Sequence, residues 1–168
     1  MRWPPDEIER VSLLLYGRIG TPYAKGYPGK KDWVVRGKPE ITEKSPSEFD
    51  CSGLARWIIG QGVPTDGKRI ILPHGTIEQI KFCIPISREP FPLDLGFADL
   101  DESGEPDHVI VYYGMNSGVQ TVVEARGKPY GRVIERPRDK WESQKGFLGW
   151  WTVPGLYVDR EIKSAKEA

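Results

Sequence analysis

Sulfur and imidazole are scarce in this 168-residue chain, which carries two cysteines and two histidines. Cys51 and Cys83 stand far apart in sequence, so the disulfide framework of small secreted folds is not available and both thiols are expected to be free. Long apolar runs are missing too. Runs such as "LLLY" at 13–16 fall far short of the roughly 20 residues that cross a bilayer, so no membrane-spanning helix is expected. The opening "MRWPPDEIERV" lacks the apolar segment of a secretory signal, which suggests a cytoplasmic chain or one delivered by another route, such as a phage. Neither charge sign predominates. With 24 Lys plus Arg against 24 Asp plus Glu and no long basic run, a nucleic-acid partner is not expected. The length leaves no room for a second full domain, and no internal repeat is present. The expectation is one domain over 1–168, with a core over about 8–158 and a polar tail at 159–168.

What is there begins with helices. "DEIERVSLLLYGRIG", after Pro4 and Pro5, reads as a helix with acidic residues in its first turn and glycines near its end. Residues 25–48 break the pattern with glycine, proline and lysine around one apolar cluster, "DWVVRG". They predict a long ordered loop or a small hairpin. A second helix starts near Cys51, and "PHGTIEQIKFC" suggests a short third one. "HVIVYYG" at 108–114, "VQTVVEA" at 119–125, "RVIER" at 132–136 and "GFLGWWTV" at 146–153 read as strands. Helices first and a strand meander second predict an α+β domain with helices packed on an antiparallel sheet.

In "FDCSGLARWIIG", Cys51, Leu54, Ala55, Ile58 and Ile59 form one stripe of an amphipathic helix. The thiol therefore points inward, in the first turn. Asp50 or Ser47 can cap that turn, and its amides and the helix dipole favour a thiolate over a thiol. Packing alone would also account for a cysteine on such a stripe. A nucleophile needs a base, and only His74 and His108 are available. His108 opens a strong strand and is the better candidate, whereas His74 in "LPHGT" suits a solvated or capping role. The imidazole needs an orienting partner, for which Glu124 on the next strand qualifies if the two face each other across a hairpin centred on Asn116. That register requires an odd loop, Met115 to Ser117 or Gly114 to Gly118, because a two-residue loop would turn Glu124 to the other face. A solvated strand glutamate is the plainer alternative. A zinc site from Cys51, Cys83, His74 and His108 lacks any close-paired ligand spacing, so no metal is expected there. Cys83 in "KFCIPI" reads as a small buried hydrophobe.

"GTPYAKG", "FDCSGLARW", "LPHGTIEQ", "PLDLGFADL", "DHVIVYYG" and "VVEA" follow one another in the order seen in NlpC-type cell-wall peptidases, bacterial cysteine peptidases related to papain-like enzymes. The chain resembles that family over roughly residues 8–153. The resemblance implies Cys51 as nucleophile and His108 as base. Glu124 falls where the family places a third polar residue, commonly histidine, asparagine or glutamine, so its charge is a departure that should favour an imidazolium. Tyr23 of "TPY" resembles a tyrosine that helps bind the oxyanion beside the Cys51 amide. A core aromatic is the other reading of Tyr23. Asp50 and Ser52 resemble residues that contact the D-glutamyl or N-terminal side of the substrate, and Asp50 is equally suited to be only a cap. The implied activity needs no cofactor. It is endopeptidase cleavage of γ-D-glutamyl bonds to diaminopimelate or lysine in peptidoglycan stem peptides or muropeptides. Two alternatives stay open: an amidase or acyltransferase with the same triad, and a non-catalytic phage tail or wall-binding structural protein. The segment between Tyr23 and Cys51 is longer than usual for the family, which suggests a lid or a reshaped groove. Its Lys25, Lys30, Lys31, Arg36 and Lys38 could meet substrate carboxylates or simply be solvated.

Overall fold

Prolines set the first helix. In the computed structural model, which describes residues 3–25, 34–35, 38–39 and 46–157, α1 (Pro5–Tyr16) has Pro5 at its first position, where the missing N–H costs no hydrogen bond. Asp6 and Glu7 follow in the first turn, and Ile8, Val11 and Leu15 give it a buried stripe. In the 25–48 segment, β1 (Val34–Val35) pairs antiparallel with β2 (Lys38–Pro39), so the anticipated small hairpin is present. The suggested lid otherwise falls on 26–33, 36–37 and 40–45, outside the described residues, as do Lys30, Lys31, Arg36 and the 159–168 tail. Lys25 is exposed.

α2 (Cys51–Gly60) is nearly all buried, and α3 (Thr76–Phe82) is the short third helix anticipated within 73–83. The strands are β3 (Ile84–Ile86), β4 (Leu95–Ala98), β5 (His108–Asn116), β6 (Val119–Arg126), β7 (Arg132–Pro137) and β8 (Phe147–Thr152), with α4 (Arg138–Glu142) between the last two. Among the described residues, β3 to β8 form a six-stranded sheet in the order β3-β8-β4-β5-β6-β7, every pairing antiparallel. The α+β architecture is the one expected from sequence. β3, β4 and α4 were not anticipated, because three to five residues near prolines carry too little periodicity to register.

Strand alternation divides the sheet into two faces. Val109, Val111, Val123 and Ala125 pack with Val11 and Leu15 of α1 and with Leu54, Trp57 and Ile58 of α2. Ala98, Ile110, Tyr112 and Val122 on the opposite face meet Trp141 of α4 and Trp150. Ahead of β4, the fully buried Asp94 carboxylate accepts from Arg88 and from the Phe91 amide, each at 2.7 Å. That pair anchors the crossing into the middle of the sheet.

One expectation about register is corrected. Asn116 pairs with Val119, so Ser117 and Gly118 alone make the turn, both with positive φ (50° and 80°), the hairpin geometry that matches strand twist. No odd loop exists. Parity is restored by a bulge: Tyr112 pairs with Val122 but Gly114 with Thr121, leaving Tyr113 as the extra residue. Continued past Val111↔Val123, this register sets Ile110 opposite Glu124. His108 and Glu124 are thus diagonal neighbours on one face, not a directly opposed pair.

Candidate active site

Asp50 caps α2, its carboxylate accepting the Gly53 amide at 2.7 Å, and this makes Cys51 the first helical residue. The Cys51 amide consequently has no acceptor within the helix and lies beside its own thiol. Cys51 is partly buried, and its Sγ lies 4.0 Å from the Asp107 carbonyl, immediately before β5. α2 covers one face of the sheet while His108 turns toward the other, so thiol and imidazole meet at the end of β5 rather than through the sheet.

α3 holds this junction. The fully buried Gln79 side chain donates to the carbonyls of Ser52 (3.0 Å) and Pro73 (3.1 Å), tying α3 to the first turn of α2. The Thr76 hydroxyl donates to Pro106 O at 2.7 Å, which fixes the loop that delivers His108. One short helix therefore sets the relative positions of both side chains.

His108 Nε2 lies 3.3 Å from Glu124 Oε1, and Cys51, whose thiol reaches the carbonyl just before His108, is close enough to favour the charged imidazole. With Nε2 facing the carboxylate, Nδ1 is the nitrogen left for sulfur. Burial disfavours the imidazolium, but hydrogen bonds and charge from Cys51 and Glu124 outweigh it and hold His108 at about 9. Glu124 is 1% exposed and accepts from two further donors: Arg126 Nη1 at 3.3 Å on Oε1, and Trp141 Nε1 on Oε2. The Trp141 indole also stacks on the imidazole, centroids 5.1 Å apart and planes 22° from parallel. Sequence reasoning missed Trp141 and Arg126. The five-residue α4 gave no pattern to follow, though an isolated tryptophan among charged residues in "RDKWES" was the available signal.

Tyr23 is half-buried and bridges to Phe49 next to the α2 cap. Its ring covers the backbone of Gly127, where an added methyl would sit 3.5 Å from Cε1. Burial first, then the charges of Cys51 and Asp50, push its hydroxyl above the ordinary range. Asp50 and Ser52 are each 6% exposed. His74 is exposed in the loop before α3, and Cys83 is buried at that helix's end. Among the described residues, the group able to offer a cation three ligands is Asp99, Asp101 and Asp107, with oxygens within 4.8 Å of one another. Those carboxylates already accept the amides of Leu100, Asp101, Ser103 and Gly104. Among the described residues no helix is long and apolar enough to cross a membrane.

Solved structures share this architecture. An NLP/P60-family protein similar to a lipoprotein, from Staphylococcus aureus, superposes with a TM-score of 0.59 at 20% identity, covering 94% of this chain and 44% of that one. NlpC1 from Trichomonas vaginalis gives 0.58 at 20% identity (87% and 45%), and NlpC2 from the same organism 0.55 at 19% (87% and 48%). The fold is thus that of NLP/P60 structures, and the chain spans less than half the length of each. No protein-family model matches the sequence, and no curated protein matches it.

Proposed function

We propose that the chain is a cysteine peptidase that cleaves peptidoglycan stem peptides, with Cys51 as nucleophile, His108 as general base and acid, and Glu124 as the orienting carboxylate. The observation that carries this reading is the meeting of a helix-initial thiol with a buried imidazole whose far nitrogen rests on a buried carboxylate. The NLP/P60-like fold supports it from a second direction. In the first step the Cys51 sulfur attacks the scissile carbonyl carbon, while the oxyanion takes hydrogen bonds from the Cys51 amide and the Tyr23 hydroxyl. The imidazolium then gives its Nδ1 proton to the leaving amine as the C–N bond breaks, leaving a thioester. Water attacks that thioester, its proton passing to His108, and hydrolysis releases the acid and restores the thiol–imidazole pair.

The bond assigned is γ-D-glutamyl to diaminopimelate or lysine, with Asp50 and Ser52 toward the D-glutamyl side. Incubation with defined muropeptides and mass spectrometry of the products tests this directly. Cleavage at that bond, abolished in Cys51→Ala, is the expected result. Cleavage elsewhere, or transfer to an added amine in place of hydrolysis, would move the assignment to an amidase or acyltransferase. Intact muropeptides would remove it.

A further inference from the structure

A carboxylate steers an imidazole only if it is itself fixed. Glu124 has no freedom to turn: Oε2 is taken by the Trp141 indole N–H, and Oε1 is shared by Arg126 and His108. Indole and guanidinium groups only donate, so Glu124 accepts on both oxygens, and the Nε2 contact completes the set as a donated N–H. Trp141 grips both members of the pair, since the indole that donates to Glu124 also stacks on His108. Arg126 closes the arrangement, its guanidinium 5.0 Å from the Trp141 ring centroid.

Charge constrains the pair as much as geometry does. A buried carboxylate 3.3 Å from an imidazolium, with nothing opposing it, would hold the proton too firmly for a general acid that must release it in every turnover. Arg126 on the same oxygen draws part of that charge. The other charged groups around His108 are Cys51 on α2 and, beyond the Trp141 ring, Arg136 on β7. Asp107 is turned back to the amides of Leu100 and Asp101, and Arg138 on α4 is directed to Glu89, Gln120 and Glu142.

We propose that Trp141 and Arg126 are positioning residues for the His108–Glu124 pair, Trp141 fixing the planes of carboxylate and imidazole and Arg126 offsetting the carboxylate charge so that the imidazolium can release its proton. The proposal rests on the reading of Cys51 as a nucleophile.

With two histidines in the chain, ring NMR titrations are simple to assign by comparison with His74→Gln. In Arg126→Gln the His108 midpoint should rise, because a cation beside the imidazolium has gone, and Arg126→Lys should return it toward the parent value. Trp141→Phe keeps an aromatic ring but loses the N–H, so kcat on a muropeptide cleaved by the parent should fall about ten-fold with KM unchanged. A midpoint that stays or falls in Arg126→Gln overturns the role of Arg126, and an unchanged kcat in Trp141→Phe overturns that of Trp141. Should Trp141→Phe fail to fold, the exposed edge of Arg126 makes its titration the deciding measurement. A parent whose Cys51 is no more reactive toward iodoacetamide than Cys83 overturns the nucleophile reading itself. A reactive Cys51 with superimposable parent and Arg126→Gln titrations overturns this inference alone.

Discussion

Glutamine in place of Glu124 keeps the side chain's shape and removes its charge, and the structure sets the size of the effect. His108 is 8% exposed, so burial alone would press it below the ordinary 6.5, yet Cys51 and Glu124 hold it at about 9. The net rise from 6.5 corresponds to about 3 kcal/mol in favour of the imidazolium, on top of the burial penalty that the two partners also offset. Losing one of them should lower the midpoint by about one pH unit or more. A lower midpoint means that the imidazolium, and with it the general acid, is lost at lower pH, so the alkaline limb of the pH–rate profile moves down. The amide also meets an arrangement built for an acceptor. Its oxygen can take the place shared by His108 and Arg126, but its NH₂ then faces the Trp141 N–H, donor against donor, at a cost of about 1–3 kcal/mol in stability. Glu124→Gln is expected to fold less stably, retain measurable turnover and show the shifted limb. Glu124→Ala should lose much more activity, since nothing then fixes the tautomer. Denaturant unfolding, with kcat/KM followed across pH 5–10, reads all three quantities. Parent-like rate and pH profile in Glu124→Ala would show that the carboxylate neither orients nor charges His108.

Iodoacetamide at mildly acidic pH should label Cys51 well before Cys83, whose thiol burial pushes up to about 12 with Asp94 adding to the effect. Peptide mapping that finds Cys83 labelled first, or both equally and only in alkali, would count against an activated Cys51. Tyr23→Phe should leave the unfolding transition in place and lower kcat roughly 10²-fold with little change in substrate affinity; unchanged turnover would return the ring to a packing role against Gly127. Arg88→Met strands the Asp94 carboxylate, fully buried and already raised by that burial, and should cost about 3 kcal/mol of stability by chemical denaturation. A loss under 1 kcal/mol would show that Asp94 is satisfied without its ion pair.

How much of this was legible in sequence depends on how far each signal reaches along the chain. α1 and α2 carry apolar stripes, and β5, β6, β7 and β8 are long enough to show β-branched and aromatic enrichment, so each was readable within its own segment. Cys51 and His108 were legible for the same reason, one opening a helix and the other opening a strand. The juxtaposition of His108 and Glu124 was reached by a register argument whose odd loop and direct pairing are both absent, although the two side chains do share a face and approach to 3.3 Å. A two-residue turn would have sent Glu124 to the opposite face, and the bulge at Tyr113 reversed that inversion. A single extra residue in a strand leaves no mark on composition or period. It is defined only by which residues pair across the ladder. Trp141 and Arg126 were lost for a related reason. Their importance lies in contacts made to Glu124 from a later helix and from two residues along the same strand, and neither contact has a sequence spacing of its own. The departure visible in sequence, a charged residue at the third position, is intelligible only with them: an acidic group buried at 1% exposure needs donors, and the fold supplies an indole, a guanidinium and an imidazole around it.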